Sequence, residues 1–330
     1  MEFRYAHVPQ YEPEKDIRGI GDELIRQTEL VRENGFDSIT VPEHHVTDDN
    51  YLLNESVISY LASSLGELDI ATSMCLLPLH DPVRIAEFGA TVDVLTGGQF
   101  RLGVAQGYRK KEYEAFHVDP EDALGRFVEG VQIIKRLWTE DSVSFDGRHF
   151  QFEDISINPK PVQTPRPQIL TGASNEKSIR RSVKLTDGWA ASHVGFSELK
   201  PRVAAFRDEQ STSGTGTEPL EIMREIYVAE TTAEAERIAR EPLLRKYGMY
   251  SNWGQDDVIE NDTFDSVWEK LQHERFIVGS PDDVIAELDR YNEAFEPDAF
   301  RFRMQWQGME FEDVHRSIEL VGEEVMPSFN

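Results

Sequence analysis

The sequence predicts a closed (β/α)8 TIM barrel, and three observations carry that prediction. Short β-type runs alternate with amphipathic helical runs along the 330 residues, the pattern of parallel α/β architecture. Eight such runs can be counted, each followed by a helical stretch. A doubly wound sheet usually has fewer strands and often a Gly-rich turn after its first. Here the first strand runs instead into Pro9-Gln10-Tyr11-Glu12-Pro13.

In chain order the expected strands are Glu2–Val8, Asp37–Val41, Leu68–Ser73, Gln99–Ala105, Pro167–Thr171, Gly188–Ser192, Leu220–Ala229 and Ala299–Gln305. Helical segments fall near 15–34, 54–65, 82–96, 121–139, 175–186, 197–211, 231–250 and 280–295, with a closing helix at 310–325. Gly35 suits the end of the first helix. Gly279-Ser280-Pro281-Asp282-Asp283 places an N-cap serine, a first-position proline and first-turn acids at the start of another. Two stretches exceed the minimal repeat. Residues 141–166 alternate around Asp146-Gly147 and read as an inserted hairpin. Residues 251–278 are polar with scattered aromatics (Trp253, Phe264, Trp268, Phe276) and read as a lid or packed loop. Ser211–Pro219 is a simple connector. No domain boundary is visible, so residues 1–330 read as one barrel domain.

Composition excludes several function classes. No stretch approaches the roughly 18 apolar residues that a membrane helix needs. Met1-Glu2-Phe3-Arg4 has no export pattern, and the single cysteine, Cys75, precludes an internal disulfide. The cytoplasm is the expected location. A net charge of −27 opposes nucleic-acid binding, which needs a basic face. The acids are spread along the chain, and 10 lysines stand against 24 arginines. That pattern suggests a halophilic protein, whose self-repulsion is screened over about 3 Å at molar salt. Dialysis from molar KCl into dilute buffer is then expected to lower its stability; unchanged stability would leave a merely acidic protein.

The rim of the barrel carries the chemistry. Thr40-Val41-Pro42-Glu43-His44-His45 leaves the second strand at its C-terminal end, where barrel active sites are built. Three titratable groups there, two of them imidazoles, form a candidate reaction centre; a solvated His pair is the plain alternative. After the fourth strand, Gln106-Gly107-Tyr108 leads into Arg109-Lys110-Lys111, a cationic run suited to an anionic ligand or simply a basic turn. After the fifth, Gly172-Ala173-Ser174-Asn175 offers either a phosphate site at a helix start or capping by Ser174. Gln305-Trp306-Gln307-Gly308-Met309 could wall the pocket or anchor a Trp at the surface, and Trp189 and His193 flank the sixth strand end with the same ambiguity. His80, in Leu79-His80-Asp81-Pro82, reads as structural, at the entry to a helix.

Together these segments resemble the bacterial luciferase-like family of flavin-dependent oxidoreductases. The matching stretches include Glu43-His44-His45, Leu77-Pro78-Leu79-His80-Asp81-Pro82-Val83-Arg84, Leu95-Thr96-Gly97-Gly98-Gln99, Gly103 through Tyr108, and Glu112-Tyr113-Glu114-Ala115-Phe116. Asn158-Pro159-Lys160-Pro161-Val162-Gln163, Gly172-Ala173-Ser174, Thr186-Asp187-Gly188-Trp189 and Gly279-Ser280-Pro281 extend the resemblance over nearly the full length. It implies a barrel, often dimeric, that binds flavin at its C-terminal face, with a non-proline cis peptide at Ser73–Met74 under the ring. Cofactor contacts are implied at Ser73, Met74, Gln106, Gly107, Tyr108, Arg109, Gly172, Ala173 and Ser174. Relatives often carry Arg at the position of Gln106, so Arg109 or Lys110 is the expected substitute.

The implied activity is a monooxygenase that takes reduced FMN from a separate reductase and uses O2 to oxygenate a small organic substrate. His44 is the expected general acid/base or hydrogen-bond donor near the flavin, with Glu43 and His45 orienting it or shaping the pocket. A rival with the same fold transfers hydride from coenzyme F420, whose polyglutamate tail could meet Arg109-Lys110-Lys111. A non-catalytic flavin-binding subunit is a third reading. No metal is expected: His44 and His45 point apart on an extended segment, and no His-x-His closes the first strand. Dimerisation through helices 54–65 and 82–96 is the family expectation.

Overall fold

Eight parallel strands close on themselves inside a shell of helices. The computed structural model describes residues 1–191, 194–213, 219–252 and 264–329. The barrel strands are β1 Glu2–Ala6, β2 Ser38–Val41, β3 Asp69–Thr72, β4 Phe100–Ala105, β5 Ile169–Gly172, β6 Gly188–Ala191, β7 Leu220–Val228 and β8 Ala299–Arg303. Each pairs with the next, and β8 returns to β1 in the register Glu2↔Ala299 through Tyr5↔Phe302, which closes the ring. The helices are α1 Ile20–Glu33, α2 Asn54–Leu61, α3 Pro82–Thr96, α4 Lys110–Ala115, α5 Ala123–Thr139, α6 Glu176–Leu185, α7 Phe196–Ser213, α8 Thr232–Asn252, α9 Phe264–Glu274, α10 Pro281–Phe295 and α11 Phe311–Leu320.

Local chemistry sets most boundaries. Ser280 accepts a hydrogen bond from the Asp283 N–H, and the Asp283 carboxylate accepts one in return, so α10 starts on a capping box. Helix α1 begins at Ile20 rather than near residue 15, because Gly19 sits at φ +78, outside the right-handed helical region. Val143–Asp146 and Gln151–Ile155 pair antiparallel across the Asp146-Gly147 turn. One element is unforeseen. Phe276–Gly279, which the sequence reading absorbed into the polar stretch 251–278, is a strand paired with Glu225–Val228 of β7. It finds a partner there because β7 is nine residues long and its pairing with β8 ends at Glu225. Trp253 and His193 lie outside the described residues.

Strand alternation sorts the side chains unusually. Phe3, Phe300 and Phe302 face the helices and contact one another, with ring centroids 5.7–6.5 Å apart. The intervening Arg4, Glu221 and Arg301 point into the barrel and meet there. Arg4 reaches Glu221 at 2.5 Å and Glu2 at 2.6 Å, and Arg101 reaches Glu2 at 3.0 Å and Asp69 at 2.5 Å. The barrel floor is therefore ionic, and burial of these charges is tolerable because each has opposite-charge partners. Among the described residues no helix is long and apolar enough to cross a membrane.

Candidate active site

At the C-terminal face of the barrel a cavity of about 670 Å3 opens among the strand ends. Its size falls within the roughly 300–1,000 Å3 of small-molecule and cofactor pockets.

One wall is built around Glu43. Pro42 carries the chain out of β2, so Glu43 turns inward and is buried. Its Oε2 accepts the Leu76 N–H at 2.8 Å. Its Oε1 accepts from Nε2 of both His45 and His80, the latter at 2.5 Å. Burial alone would raise the Glu43 pKa, but the two imidazole hydrogen bonds and their charge override it and hold the carboxyl at about 2. For His80 burial pushes the other way from its bond and charge contact with Glu43, which prevail and raise its pKa. Glu43 is thus a fixed anion clamping two side chains and a loop.

His44 points the opposite way, into the cavity. Its Nδ1 lies 3.1 Å from Oε1 of Glu112, which also accepts the His45 N–H at 2.9 Å and Arg109 at 3.0 Å. An ionised carboxylate only accepts, so Nδ1 carries the hydrogen of this bond. Tyr51, Tyr108 and Tyr250 meet the imidazole edge-on at 5.5, 6.1 and 6.0 Å. The ring is therefore oriented on all sides, as a proton-transfer group requires.

The floor is the Ser73–Met74 turn after β3, whose peptide bond is cis. Arg301 from β8 donates to the Ser73 hydroxyl and lies 3.0 Å from Glu221, without hydrogen-bond alignment to it. Gly103 leaves room for this turn: a Cβ there would stand 2.2 Å from the Thr72 carbonyl and 2.7 Å from Met74 Sδ. Gly107, at φ +84, carries the chain over the cavity.

The far end is polar and open. Ser174, Asn175 and Ser178 at the start of α6 line it, facing Arg202 of α7, whose only described ion pair is a 3.5 Å contact with Glu198. The α6 cap is Asn175, which accepts the Ser178 N–H while Ser178 answers with its hydroxyl. Ser174 is therefore not the cap, contrary to the simple capping alternative.

The structure brings together most, not all, of the expected site residues. Glu43, His44, Ser73, Met74, Gln106, Gly107, Tyr108, Gly172, Ala173 and Ser174 line one cavity. His45 does not; it lies behind Glu43 against Phe116, 4.6 Å between ring centroids. Arg109 is also set back, buried by its bonds to Glu112 and the His45 carbonyl. Lys110 and Lys111 are solvent-exposed beside Glu114 and Asp48, and neither lines the cavity. Trp306 and Met309 are buried in the core rather than in the pocket wall or at the surface, and Trp189 braces the rim by donating to the Ala173 carbonyl at 2.9 Å. His80 does not start a helix: Asp81 caps α3, and His80 joins Glu43. Unforeseen members are Arg202, Tyr250, Arg301 and Arg303. Only the Phe-Arg-Phe-Arg alternation of β8 could have signalled the last two, and it looks the same in a half-exposed strand.

Comparison with known proteins agrees with this fold. The profile of the luciferase-like monooxygenases matches residues 1–295. The chain belongs to the luciferase-like monooxygenase family. Among relatives of this family member, the oxygenase component of a flavin-dependent trigonelline monooxygenase from Acinetobacter baylyi is 24% identical, covering 99% of this chain and 94% of that protein. The FMNH2-dependent dimethylsulfone monooxygenase of Pseudomonas putida is 26% identical over 50% of the chain and 46% of its own length. The fold of this luciferase-like protein recurs in monooxygenase RslO1 from Streptomyces bottropensis (TM-score 0.88, 23% identity, all of both chains). It recurs equally in an F420-dependent secondary alcohol dehydrogenase (TM-score 0.80, 16% identity, all of both chains), so the fold does not distinguish the two cofactors.

Proposed function

We propose that this chain is the oxygenase component of a two-component monooxygenase, which takes reduced FMN from a separate reductase and uses O2 to oxygenate a small organic substrate. The observation that carries the reading is one cavity with two chemically different ends: an oriented imidazole at one, and hydroxyls, a helix N-terminus and Arg202 at the other. That arrangement suits a planar ring with a single phosphate. Gly172 supports the fit, since a Cβ there would stand 3.0 Å from Met74 Cγ and narrow the passage between the ends. The exposed, outward Lys110 and Lys111 weaken the case for an F420 polyglutamate tail, which would need them at the pocket.

When bound, reduced flavin supplies the electrons that activate O2. The protein supplies the rest. His44 holds or moves a proton at Nε2, kept in one tautomer by Glu112. Glu43 and His80 fix the loop that carries His44, and His45 acts with them rather than on the substrate. Met74, Leu76, Val194 and Met223 give apolar walls that exclude water from the reacting centre.

Anaerobic titration in molar KCl with reduced FMN, and separately with F420, followed by O2, tests the proposal. Tight FMN binding with oxygen-dependent reoxidation is expected. Preferential F420 binding without reaction with O2 would replace it by hydride transfer.

A further inference from the structure

Among the described residues, one cation lining the cavity makes no ion pair. Among the described residues Arg202 pairs with Glu198, and Arg301 lies beside Glu221. Glu43 is met by His45 and His80. Arg303, at the C-terminal end of β8, is 6% exposed and lines the cavity. Its described polar contacts are the Tyr250 hydroxyl at 3.3 Å and its neighbour's Gln305 carbonyl at 3.4 Å. No described carboxylate lies within ion-pair distance of it. Glu225, the nearest acid on β7, is bonded by the buried Lys246 of α8, so that anion is already claimed. A second buried polar group belongs to the same corner: the Tyr51 hydroxyl, which has no hydrogen-bond partner. Its neighbours in the electrostatic surroundings include Tyr250, Arg303 and Tyr108.

A buried guanidinium without a close ion pair is costly; Tyr250 and Glu225 across the strand pairing favour its charge, yet a chain of net charge −27 places no described carboxylate in direct contact with it. The site instead keeps its planar donor fork turned toward a cavity, the arrangement that recognises an oxyacid group. Tyr250 ties this corner to the chemistry, since its hydroxyl lies beside Arg303 and its ring meets His44 edge-on.

We infer that Arg303, with Tyr250, anchors the substrate by an anionic oxyacid group, a carboxylate or sulfonate, so that the substrate's remaining carbon skeleton lies against His44. The inference rests on the flavin reading for the meaning of "substrate", but the anion site itself does not need the flavin. It also separates roles along the cavity: Arg202 and the α6 start serve the cofactor end, Arg303 the substrate end.

The test uses benzoate and its neutral isostere benzamide, titrated into FMN-loaded protein and followed by the flavin absorbance change. Wild type is expected to bind benzoate about 10- to 100-fold more tightly than benzamide, the range of a hydrogen bond to a charged group. Arg303→Met should abolish that preference, Arg303→Lys should keep part of it, and benzenesulfonate should behave as benzoate does. FMN affinity should stay within about threefold in both variants. Independently of any ligand, Arg303→Met should leave the thermal midpoint of the FMN-free protein within a few degrees of wild type, because the guanidinium makes no ion pair among the described residues. A midpoint lowered beyond that would make Arg303 a structural residue and overturn the inference. So would equal binding of benzoate and benzamide by wild type, or an unchanged preference in the Met variant. A tenfold loss of FMN affinity without loss of anion preference would assign Arg303 to the cofactor, overturning this inference and leaving the flavin reading intact. Should the protein fail to bind FMN at all, the flavin reading falls, and benzoate-dependent stabilisation of the FMN-free protein, present in wild type and lost in Arg303→Met, still decides the anion site.

Discussion

The two walls of the cavity treat charge in opposite ways. On the β2 to β4 side both carboxylates are saturated: Glu43 is shared by two imidazoles and a backbone N–H, and Glu112 by His44, the His45 N–H and Arg109. On the β7 to β8 side the cations outrun their described partners, and Arg303 faces the cavity beside a tyrosine. A saturated network has one low-energy arrangement and holds geometry; an unsaturated one keeps binding capacity in reserve. On the proposed function, the first wall positions His44 and the second receives a ligand.

The sharpest way to break this comparison is at His44 itself. His44→Ala removes the one imidazole that the first wall turns into the cavity. Turnover should fall about 10²- to 10⁴-fold, the span of general acid–base catalysis. Affinity for reduced FMN should change little. Single-turnover oxidation of pre-bound reduced FMN, read alongside product formation, separates the two quantities. Wild-type turnover in the variant would remove the proton-transfer role and with it the purpose assigned to the saturated wall.

How much of this was legible before the fold is instructive in its unevenness. The eight strands and the Glu43-His44-His45 segment follow from local pattern, because strand ends and rim loops are contiguous in sequence. The partners of that segment are not contiguous. His80 and Glu112 lie 37 and 68 residues from the groups they bond, so their roles depend on strand order. The basic run Arg109-Lys110-Lys111 misled for a related reason: in a chain this acidic it stands out, yet α4 starts at Lys110 and carries both lysines outward. The cations that line the cavity come from β8 and α7 instead. In Phe300-Arg301-Phe302-Arg303 the alternation is plain, but only barrel closure shows that the arginines face in and the phenylalanines out.

Glu43→Gln tests whether the first wall is held by charge or merely by shape. The carboxyl is held at about 2 against an ordinary 4.5, a difference of about 3 kcal/mol. Its contribution is present above about pH 4.5 and is lost as pH falls toward 2. His80, with its pKa raised above 6.5, contributes fully below 6.5 and loses that contribution as pH rises through its folded value. Both are therefore in force between about pH 4.5 and 6.5, and urea unfolding should show the largest wild-type advantage over Glu43→Gln in that window. A stability difference that is flat with pH would mean that the wall is held by packing.

The smallest effect sharpens the comparison at its open end, where the sequence expectation names Arg109 or Lys110 for the phosphate and the proposed cofactor end offers Arg202. Arg202→Ala should weaken FMN binding about tenfold, the lower part of the range for a charge-assisted hydrogen bond. Its effect should shrink with salt, because Arg202 is only partly buried. Lys110→Ala and Lys111→Ala should each change FMN affinity less than about twofold, since both side chains are exposed beside acids and neither lines the cavity. Fluorescence titration of all three variants at two KCl concentrations separates a contact from a field. If the lysine variants lose as much as Arg202→Ala, the phosphate lies toward α4 rather than α6, and the cation-bearing wall would have to be redrawn around Gly107.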